Sequence, residues 1–472
     1  VNPLLPVVKG DFNAGGAKHT FLAMTGAEIK GFDTDRERFI GPYRGYGNPI
    51  AIENGHCSGS IAVGGNGCGV FQSDLDLKPG ESREILVLMG IGQAAAEGRE
   101  AVRAFSDPGF CRREFERVKS YWHDRLTAFT VETPDPEFNS MMNVWNPYNC
   151  LITYAWSRAA SLVYAGERDG LGFRDTVQDI LGVLPAIPDE AVRRLELMIT
   201  GQASTGGAMP VVKQFNHHPG RETAPREEEY RSDDCLWLFN TIPAYVKESG
   251  DMDFYGKVFP YADRGEDTVL GHMRRAIEFN LKRSGGHGLP CGLAADWNDC
   301  IQLGPKGESV FVAFQVRYAL RTYVEICDLL GKSGESAWAK ERLEELDEAV
   351  RKHAWDGNWF IRGIREDGLT FGSKRNDEGT IWLNPQSWSV ISGHASPEQS
   401  ETVMTVVTDK LETEFGLMIC DPPYEHADVS VMKAVLFNKG MKENGSVFCH
   451  IQGWAVIAET LLGRGNAAFR HF

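Results

Sequence analysis

The spacing of apolar residues changes near residue 100, and this change divides the chain into two parts that must fold differently. Before it, short apolar or alternating runs are separated by Gly/Asn clusters and by the turn Pro79-Gly80, a pattern typical of β-strands. These runs are residues 61–63, 70–75 and 85–89. We expect the last two runs to form a hairpin around the Pro79-Gly80 turn. The first part therefore predicts a portion of a β-sandwich.

From about residue 100 onward the apolar residues recur at helical spacing, and beyond Pro136 the pattern is helix, loop, helix, loop. The predicted helices include a linker that begins at Pro108, one that begins at Pro188, one capped by Ser396, and an amphipathic outer helix over 335–353. The loops between them are rich in Gly, Pro and Trp and carry nearly all of the unusual polar clusters. This arrangement is typical of a site at one mouth of a helical toroid.

The length of 472 residues exceeds what a single hydrophobic core usually serves, so more than one domain is expected. We expect a β-sandwich domain over residues 1–98, a helical linker over 99–140 and a helical catalytic domain over 141–472. Together they predict a multidomain β + α protein.

The composition excludes several classes of function. A net charge of −16 argues against nucleic acid and anionic membrane as partners, because both reward an excess of Lys and Arg. No apolar stretch approaches the roughly 20 residues that cross a bilayer, and no secretory signal is recognisable. The ten cysteines lack zinc-type spacing, which predicts reduced thiols in a cytoplasmic protein. His217 and His218 have no ligand partner at suitable spacing, and Walker A, GxGxxG and HExxH motifs are absent, so neither a metal nor a nucleotide site is expected.

A run of small and apolar residues over 289–303 contains two acids, Asp296 and Asp299, around Trp297. Such surroundings would desolvate a carboxyl group and raise its pKa, which suits a general acid. The indole of Trp297 offers a flat face on which the C–H face of a pyranose can pack. The alternative interpretation is a buried Asp that caps a helix.

Two more clusters precede predicted helices. Residues 172–179 contain Arg174 and Asp175, which could both reach the hydroxyls of one sugar ring if they lie where a loop enters a helix. A capping Asp with a surface Arg is the alternative. Residues 230–237 place two adjacent acids before an apolar run, which predicts a helix N-terminus that is compatible with sugar contacts.

Residues 442–450 form the third strong cluster and are dense in donors and acceptors. Lys442 and Glu443 could hold a second sugar, and His450 could bind an anion, although a lone His is more often a buried structural residue. Arg168 could add positive charge near the second cluster, or it could belong to a solvated charge cluster.

Three of these motifs, at 172–179, 295–300 and 442–450, resemble in their order those of the glycoside phosphorylases of family 94, which include cellobiose, cellodextrin, chitobiose and laminaribiose phosphorylases. Residues 32–37 and 39–43 are similar to that family's β-sandwich domain. The resemblance extends over essentially the whole chain. The residues flanking the third motif look more like the cellodextrin-type members.

The resemblance implies an N-terminal β-sandwich, a helical linker and an (α/α)6 barrel in a homodimer that needs no cofactor. It also implies that this chain holds the C-terminal portion of the sandwich and the N-terminal portion of the barrel, and that a later segment completes the phosphate site. The implied reaction is inverting phosphorolysis of β-glucosidic bonds in cello-oligosaccharides to α-glucose 1-phosphate. Inorganic phosphate is the co-substrate and already an anionic nucleophile, so basic residues replace the second carboxylate that an inverting hydrolase needs.

By position in the motifs, Asp299 is implied to be the proton donor, with Asp296 one helical turn away as a supporting or capping residue. The resemblance also implies which residues bind the substrates. The transferred sugar would be bound by Arg174, Asp175 and Trp297, the acceptor sugar by Lys442 and Glu443, and phosphate by His450 and Arg168. The alternatives are cellobiose, laminaribiose or chitobiose as the substrate, an inverting hydrolase on the same barrel, and a carbohydrate-binding chain without turnover.

Overall fold

The computed structural model describes residues 4–10, 18–157, 170–213 and 216–472, with the backbone alone for residues 4–10, 18 and 19. The chain forms two compact units, residues 1–128 and 129–472. The first unit combines antiparallel strands with short helices, and the second is mostly helical.

The described residues of the first unit form two small antiparallel sheets. Its strands are β1 (Leu4–Gly10), β2 (Lys18–Thr25), β3 (Gly31–Asp35), β4 (Gly67–Gln72) and β5 (Leu86–Ile91), and its helices are α1 (Arg36–Ile40), α2 (Ile50–Glu53), α3 (Arg99–Phe105) and α4 (Pro108–Leu126). Strand β2 lies between β1 and β5, and β3 pairs with β4. Phe21 and Ala23 of β2 are buried against Leu88 and Val102, so this sheet and α3 share one apolar core.

The predicted hairpin around Pro79-Gly80 is wrong. Strand β4 pairs with β3 and strand β5 pairs with β2, because burial of Leu88 against Phe21 requires β5 to lie beside β2. The predicted strand at 61–63 is also absent from the described chain. Hydrogen bonds to a side chain hold the segment just before it. The buried carboxylate of Asp33 accepts from the hydroxyls of Ser58 and Ser60 at 2.6 and 2.7 Å.

The second unit contains twelve α-helices in its described residues. These are α5 (Pro136–Ser140), α6 (Asn146–Trp156), α7 (Phe173–Leu181), α8 (Pro188–Ile199), α9 (Leu238–Ser249), α10 (Val269–Leu281), α11 (Val310–Leu329), α12 (Ser333–His353), α13 (Leu383–Ile391), α14 (Pro397–Leu411), α15 (Cys449–Leu461) and α16 (Gly465–His471). Its short strands are β6 (Leu171–Gly172), β7 (Val211–Val212), β8 (Val258–Pro260), β9 (Glu266–Thr268), β10 (Cys291–Leu293), β11 (Gly304–Ser309), β12 (Gly363–Ile364), β13 (Thr370–Phe371), β14 (Ile381–Trp382), β15 (Glu412–Thr413), β16 (Gly416–Leu417) and β17 (Cys420–Asp421).

The helices of the second unit alternate between two layers. Helices α7, α9, α11, α13 and α15 contact one another in that order, and α8, α10, α12, α14 and α16 each pack against a member of that row. All nine residues of α13 are buried, whereas the twenty-one residues of α12 include only four buried ones. An inner row of buried helices beside an outer row of amphipathic ones is the alternation of an (α/α) barrel, as expected.

Several helix boundaries follow local sequence signals. Asp107 accepts hydrogen bonds from the backbone N–H groups of Gly109 and Phe110 and so caps α4. Ser396 and Gln399 form the predicted capping box of α14. Helix α8 begins at Pro188 as predicted. No helix in the described part of the chain combines the length and the apolar character needed to cross a membrane.

Candidate active site

The N-terminal ends of the inner helices bring the polar clusters of the sequence together. Arg174 lies in the first turn of α7, Asp233 lies just before the short 3₁₀ turn that leads into α9, and Ser309 caps α11. His450 lies in the first turn of α15. Because these ends lie at one side of the helix row, loop residues that are far apart in sequence become neighbours there.

The guanidinium of Arg174 is buried at the centre of this region. Its Nη1 donates to Asp233 Oδ1 at 3.1 Å and to the carbonyl oxygen of Asp296, and its Nη2 donates to Asp299 Oδ1 at 2.7 Å. Burial opposes the charge, but the carboxylates of Asp233 and Asp299 outweigh it and raise the pKa of the Arg174 guanidinium well above its usual value. This residue is a permanent cation that joins three segments.

Asp299, the implied proton donor, lies on a turn and not on a helix. Its side chain is 59% exposed, and Arg231 Nε lies 3.4 Å from the Oδ1 that Arg174 binds. The expectation of a desolvated acid at this position is therefore wrong. The apolar neighbours in sequence, such as Leu293 and Ile301, turn into the core and leave this carboxyl at the surface of the cluster.

Asp296 is the buried acid of the motif, and it has a supporting position. Both of its carboxylate oxygens lie 2.7 Å from Nη2 of the fully buried Arg362, and Oδ2 accepts from Ser309 Oγ at 2.7 Å. The backbone at 296–299 is not helical, so the expectation that Asp296 lies one helical turn from Asp299 is wrong. Asp296 caps no helix itself but holds Ser309, which caps α11.

Glu443 reaches the Asp299 loop from the 442–450 segment. Its Oε2 accepts from Asn298 Nδ2 at 3.1 Å and from the Cys300 backbone N–H at 3.2 Å. Burial raises the pKa of the Glu443 carboxyl, in spite of these two hydrogen bonds. Its neighbour Lys442 is exposed, and its ammonium lies 4.9 Å from the centroid of the Phe437 ring. Glu443 is thus fixed against the loop, whereas the ammonium of Lys442 faces a ring.

Trp297 and His450 belong to an aromatic cluster at the centre of the helical unit. The Trp297 ring lies 5.2 Å from that of His450, 5.3 Å from that of Phe448 and 5.0 Å from that of Trp454, in each case edge to face. Only 7% of Trp297 is exposed, so little of its face is open in this structure. His450 Nε2 lies 2.8 Å from Gln178 Oε1, which can only accept, so this nitrogen carries the hydrogen.

Asp175 and the two acids of the 230–237 cluster surround Arg174. The predicted helix N-terminus is present, but Asp233 makes no capping bond there; it accepts from Trp237 Nε1 at 2.8 Å and from Arg174. Asp234 is buried, and its Oδ2 has no hydrogen-bond partner among the described residues. Burial and then the charge of Asp233 raise the pKa of Asp234 to about 8. Asp175 is partly buried and lies within electrostatic range of Arg174 and Asp234.

Two further predictions concern Arg168 and the adjacent residues His217 and His218. Arg168 lies outside the described residues. His217 lies 2.9 Å from Thr200 Oγ1 and pairs with Glu222, and no group of three or more metal-binding side chains is found in the described part of the chain.

The sequence patterns did not identify Gln178, Arg231 or Arg362 as residues of the site. Gln178 follows Arg174 by four residues on α7, a helical spacing that could have revealed it. Arg362 lies in the apolar segment 359–364, where a buried cation requires an acidic partner.

Two family models match the chain: the supersandwich domain of the glycosyl hydrolase 94 superfamily at residues 9–108 and its catalytic domain at residues 121–472. The N,N'-diacetylchitobiose phosphorylase of Vibrio proteolyticus is 34% identical over 93% of this chain, and the solabiose phosphorylase of Paenibacillus borealis is 30% identical over 95%. The chain spans 57% of the length of each of these relatives.

Among solved structures, a mannosylglycerate hydrolase of Thermus thermophilus is 12% identical, with a TM-score of 0.47 over 68% of this chain and 89% of that one. The two family models confirm the predicted order of a sandwich domain followed by a helical catalytic domain.

Proposed function

Because the chain belongs to the glycosyl hydrolase 94 superfamily, we propose that it cleaves β-glycosidic bonds with inorganic phosphate and inverts the anomeric centre, giving an α-sugar 1-phosphate and a shortened sugar. The names of the relatives support this proposal, since two of them are phosphorylases of different disaccharides. The observation that carries it is the contact of Arg174 with Asp299, which sets one accessible carboxyl group beside one buried cation.

In this proposal Asp299 gives its proton to the glycosidic oxygen that leaves. The exposed carboxyl group is accessible to a substrate. Phosphate attacks the anomeric carbon from the opposite face. Since phosphate is already an anion, the reaction requires no second carboxylate as base.

The cations of the region fit an anionic nucleophile. Arg174 and Arg231 both lie beside Asp299. Arg174 with Asp175 and Trp297 would hold the transferred sugar. His450 would bind phosphate together with Arg168. Glu443 and Lys442 would bind the acceptor sugar at the edge of the Asp299 loop.

The replacement Asp299→Asn tests the proposal. A general acid contributes about 10²–10⁴-fold to a rate, so kcat should fall by about that factor with a much smaller change in KM. The measurement is formation of sugar 1-phosphate from a β-linked disaccharide and phosphate. Asp253→Asn, at an exposed position, is the matched control. An unchanged kcat in Asp299→Asn contradicts the role of Asp299, and free sugar formed without phosphate would instead identify a hydrolase.

The identity of the sugar substrates is a separate part of the proposal. We retain cello-oligosaccharides as the predicted substrates, and the chitobiose phosphorylase among the relatives makes N-acetylglucosamine the necessary comparison. Synthesis from glucose 1-phosphate and from N-acetylglucosamine 1-phosphate, each with glucose and N-acetylglucosamine as acceptors, distinguishes them. A homodimer without cofactor in the cytoplasm also remains a prediction.

A further inference from the structure

A cavity of about 460 Å³ opens beside the loop that carries Asp299. Its wall consists of residues 302–304, 365–367 and 428, 430 and 431. The volume lies within the range of about 300–1,000 Å³ that is typical of small-molecule sites. None of the described residues with an implied role in the candidate active site lines it.

The backbone connects this cavity directly to the implied proton donor. Gln302 Nε2 donates to the Asp299 carbonyl oxygen at 3.4 Å, and the Gln302 backbone N–H donates to Val431 at 2.8 Å. Between them, the Cys300 backbone N–H donates to Glu443. Asp299 and Glu443 therefore lie at one end of a four-residue segment, and the cavity wall lies at the other end.

The wall offers the groups that bind sugar hydroxyls. Arg365 Nη2 lies 3.1 Å from Asp367 Oδ2 and 3.9 Å from Asp428 Oδ2, while its Nε and Nη1 donate no hydrogen bond to any described residue. Hydrogen bonds from Ser430 to Asp428 Oδ1 lower the pKa of that carboxyl group and keep it an acceptor. The partly exposed Val431 also lines the cavity. Donors and acceptors beside an apolar side chain fit the O–H and C–H groups of a pyranose.

The charge of the wall excludes anions as ligands. The wall carries one guanidinium and three carboxylates, those of Glu366, Asp367 and Asp428. Among the described residues, only Glu366 pairs with a further cation, Lys306 at 2.6 Å. A phosphate, an aldonate or a uronate would meet a net negative wall. A neutral sugar would not.

We propose that this cavity is a subsite for a neutral sugar unit on the acceptor side, one unit further from the cleaved bond than Glu443. The proposal rests on the proposed phosphorylase function and deepens it. A disaccharide acceptor would span Glu443 and the cavity, whereas a monosaccharide would reach Glu443 alone. The cavity would thus favour neutral oligosaccharides over both monosaccharides and acidic disaccharides.

The test measures kcat/KM in the synthetic direction with the same sugar 1-phosphate donor and three acceptors: a monosaccharide, its β-linked disaccharide and the corresponding aldonic acid. In the native protein the disaccharide should exceed the other two. Arg365→Ala should lower the ratio of disaccharide to monosaccharide about tenfold, because hydrogen bonds to a charged group are lost. Arg342→Ala is the matched control; Arg342 is also a salt-bridged arginine with a 31% exposed side chain, but on the outer helix α12. It should leave the ratio unchanged.

A ratio that Arg365→Ala does not change would overturn the subsite, as would a native protein that uses the aldonic acid as well as the disaccharide. Absence of transfer with every acceptor would contradict the phosphorylase function separately. In that case titration of the protein with a neutral β-linked trisaccharide decides on the subsite. Weaker binding in Arg365→Ala than in Arg342→Ala supports it, and equal binding in the two variants overturns it.

Discussion

Arg174 joins parts of the chain that are 59 and 125 positions away, through its contacts with Asp233 and Asp299. The two contacts use different nitrogens of one planar group, so the carboxylate of Asp233 fixes the orientation in which Nη2 meets Asp299. Asp233 is completely buried and also accepts from Trp237. It therefore positions the cation without facing a substrate itself.

Asp233→Asn should lower kcat for sugar transfer about tenfold to a hundredfold and change KM less. The amide keeps the shape and an acceptor for Trp237, but it loses the charge that orients Arg174, and a charged hydrogen bond contributes about 1.5–3 kcal/mol. Steady-state kinetics and thermal unfolding are measured on the same samples. Asp233→Glu, which restores the charge, should recover part of kcat. A native kcat in a folded Asp233→Asn protein would show that the orientation of Arg174 does not depend on this residue.

The sheet of β10, β11, β12 and β13 fixes the Asp299 loop at the level of elements. Strand β10 leads into the loop, β11 leaves it, and Arg362 immediately before β12 reaches back to Asp296 and to Asn298 Oδ1 at 2.9 Å. Asn298 in turn holds Glu443. One buried ion pair therefore links the sheet, the loop and the segment before α15.

Arg362→Met should destabilise the helical unit by about 3–5 kcal/mol, because removal of one partner leaves the buried carboxylate of Asp296 without its counter-ion. Chemical denaturation measures the loss. The double variant Arg362→Met with Asp296→Asn removes the stranded charge and should recover part of it. A single variant as stable as the native protein would contradict the ion pair as the cause. So would a double variant whose loss of unfolding free energy equals the sum of the losses in Arg362→Met and Asp296→Asn.

Local signals in the sequence were sufficient for the helices and insufficient for the pairings. The first residues of α4, α8 and α14 are set by local signals: Pro, Asp and Ser at or just before these positions act over only a few residues. The partners of β4 and β5 lie far upstream, and burial of Leu88 against Phe21 chose them over the nearby Pro-Gly turn. In the site, the motifs identified the residues that meet, but not the exposure of Asp299. That exposure depends on Arg362 and Arg174 drawing the rest of the loop inward, over separations that no local pattern reveals.

At the scale of the whole molecule, the proton on Asp234 connects the site to the stability of the fold. Burial and the neighbouring charge of Asp233 raise the pKa of Asp234 to about 8, from an ordinary value of 3.8. Between about pH 4 and pH 8 the folded chain keeps this proton and the unfolded chain has lost it. The folded state then binds more protons than the unfolded state, so this residue makes the free energy of unfolding decrease as the pH rises through that window.

Asp234→Asn removes this dependence, because an amide is neutral at every pH. The free energy of unfolding of Asp234→Asn minus that of the native protein should therefore increase from pH 5 to pH 8, by up to about 1.4 kcal/mol per pH unit. Urea denaturation of both proteins across this range measures the difference. The exposed replacement Asp253→Asn should give a difference that does not vary with pH. A constant difference for Asp234→Asn as well would mean that the folded protein carries Asp234 as an anion, and Arg174 and Arg231 would then have to balance the charges of Asp233, Asp234 and Asp299 together.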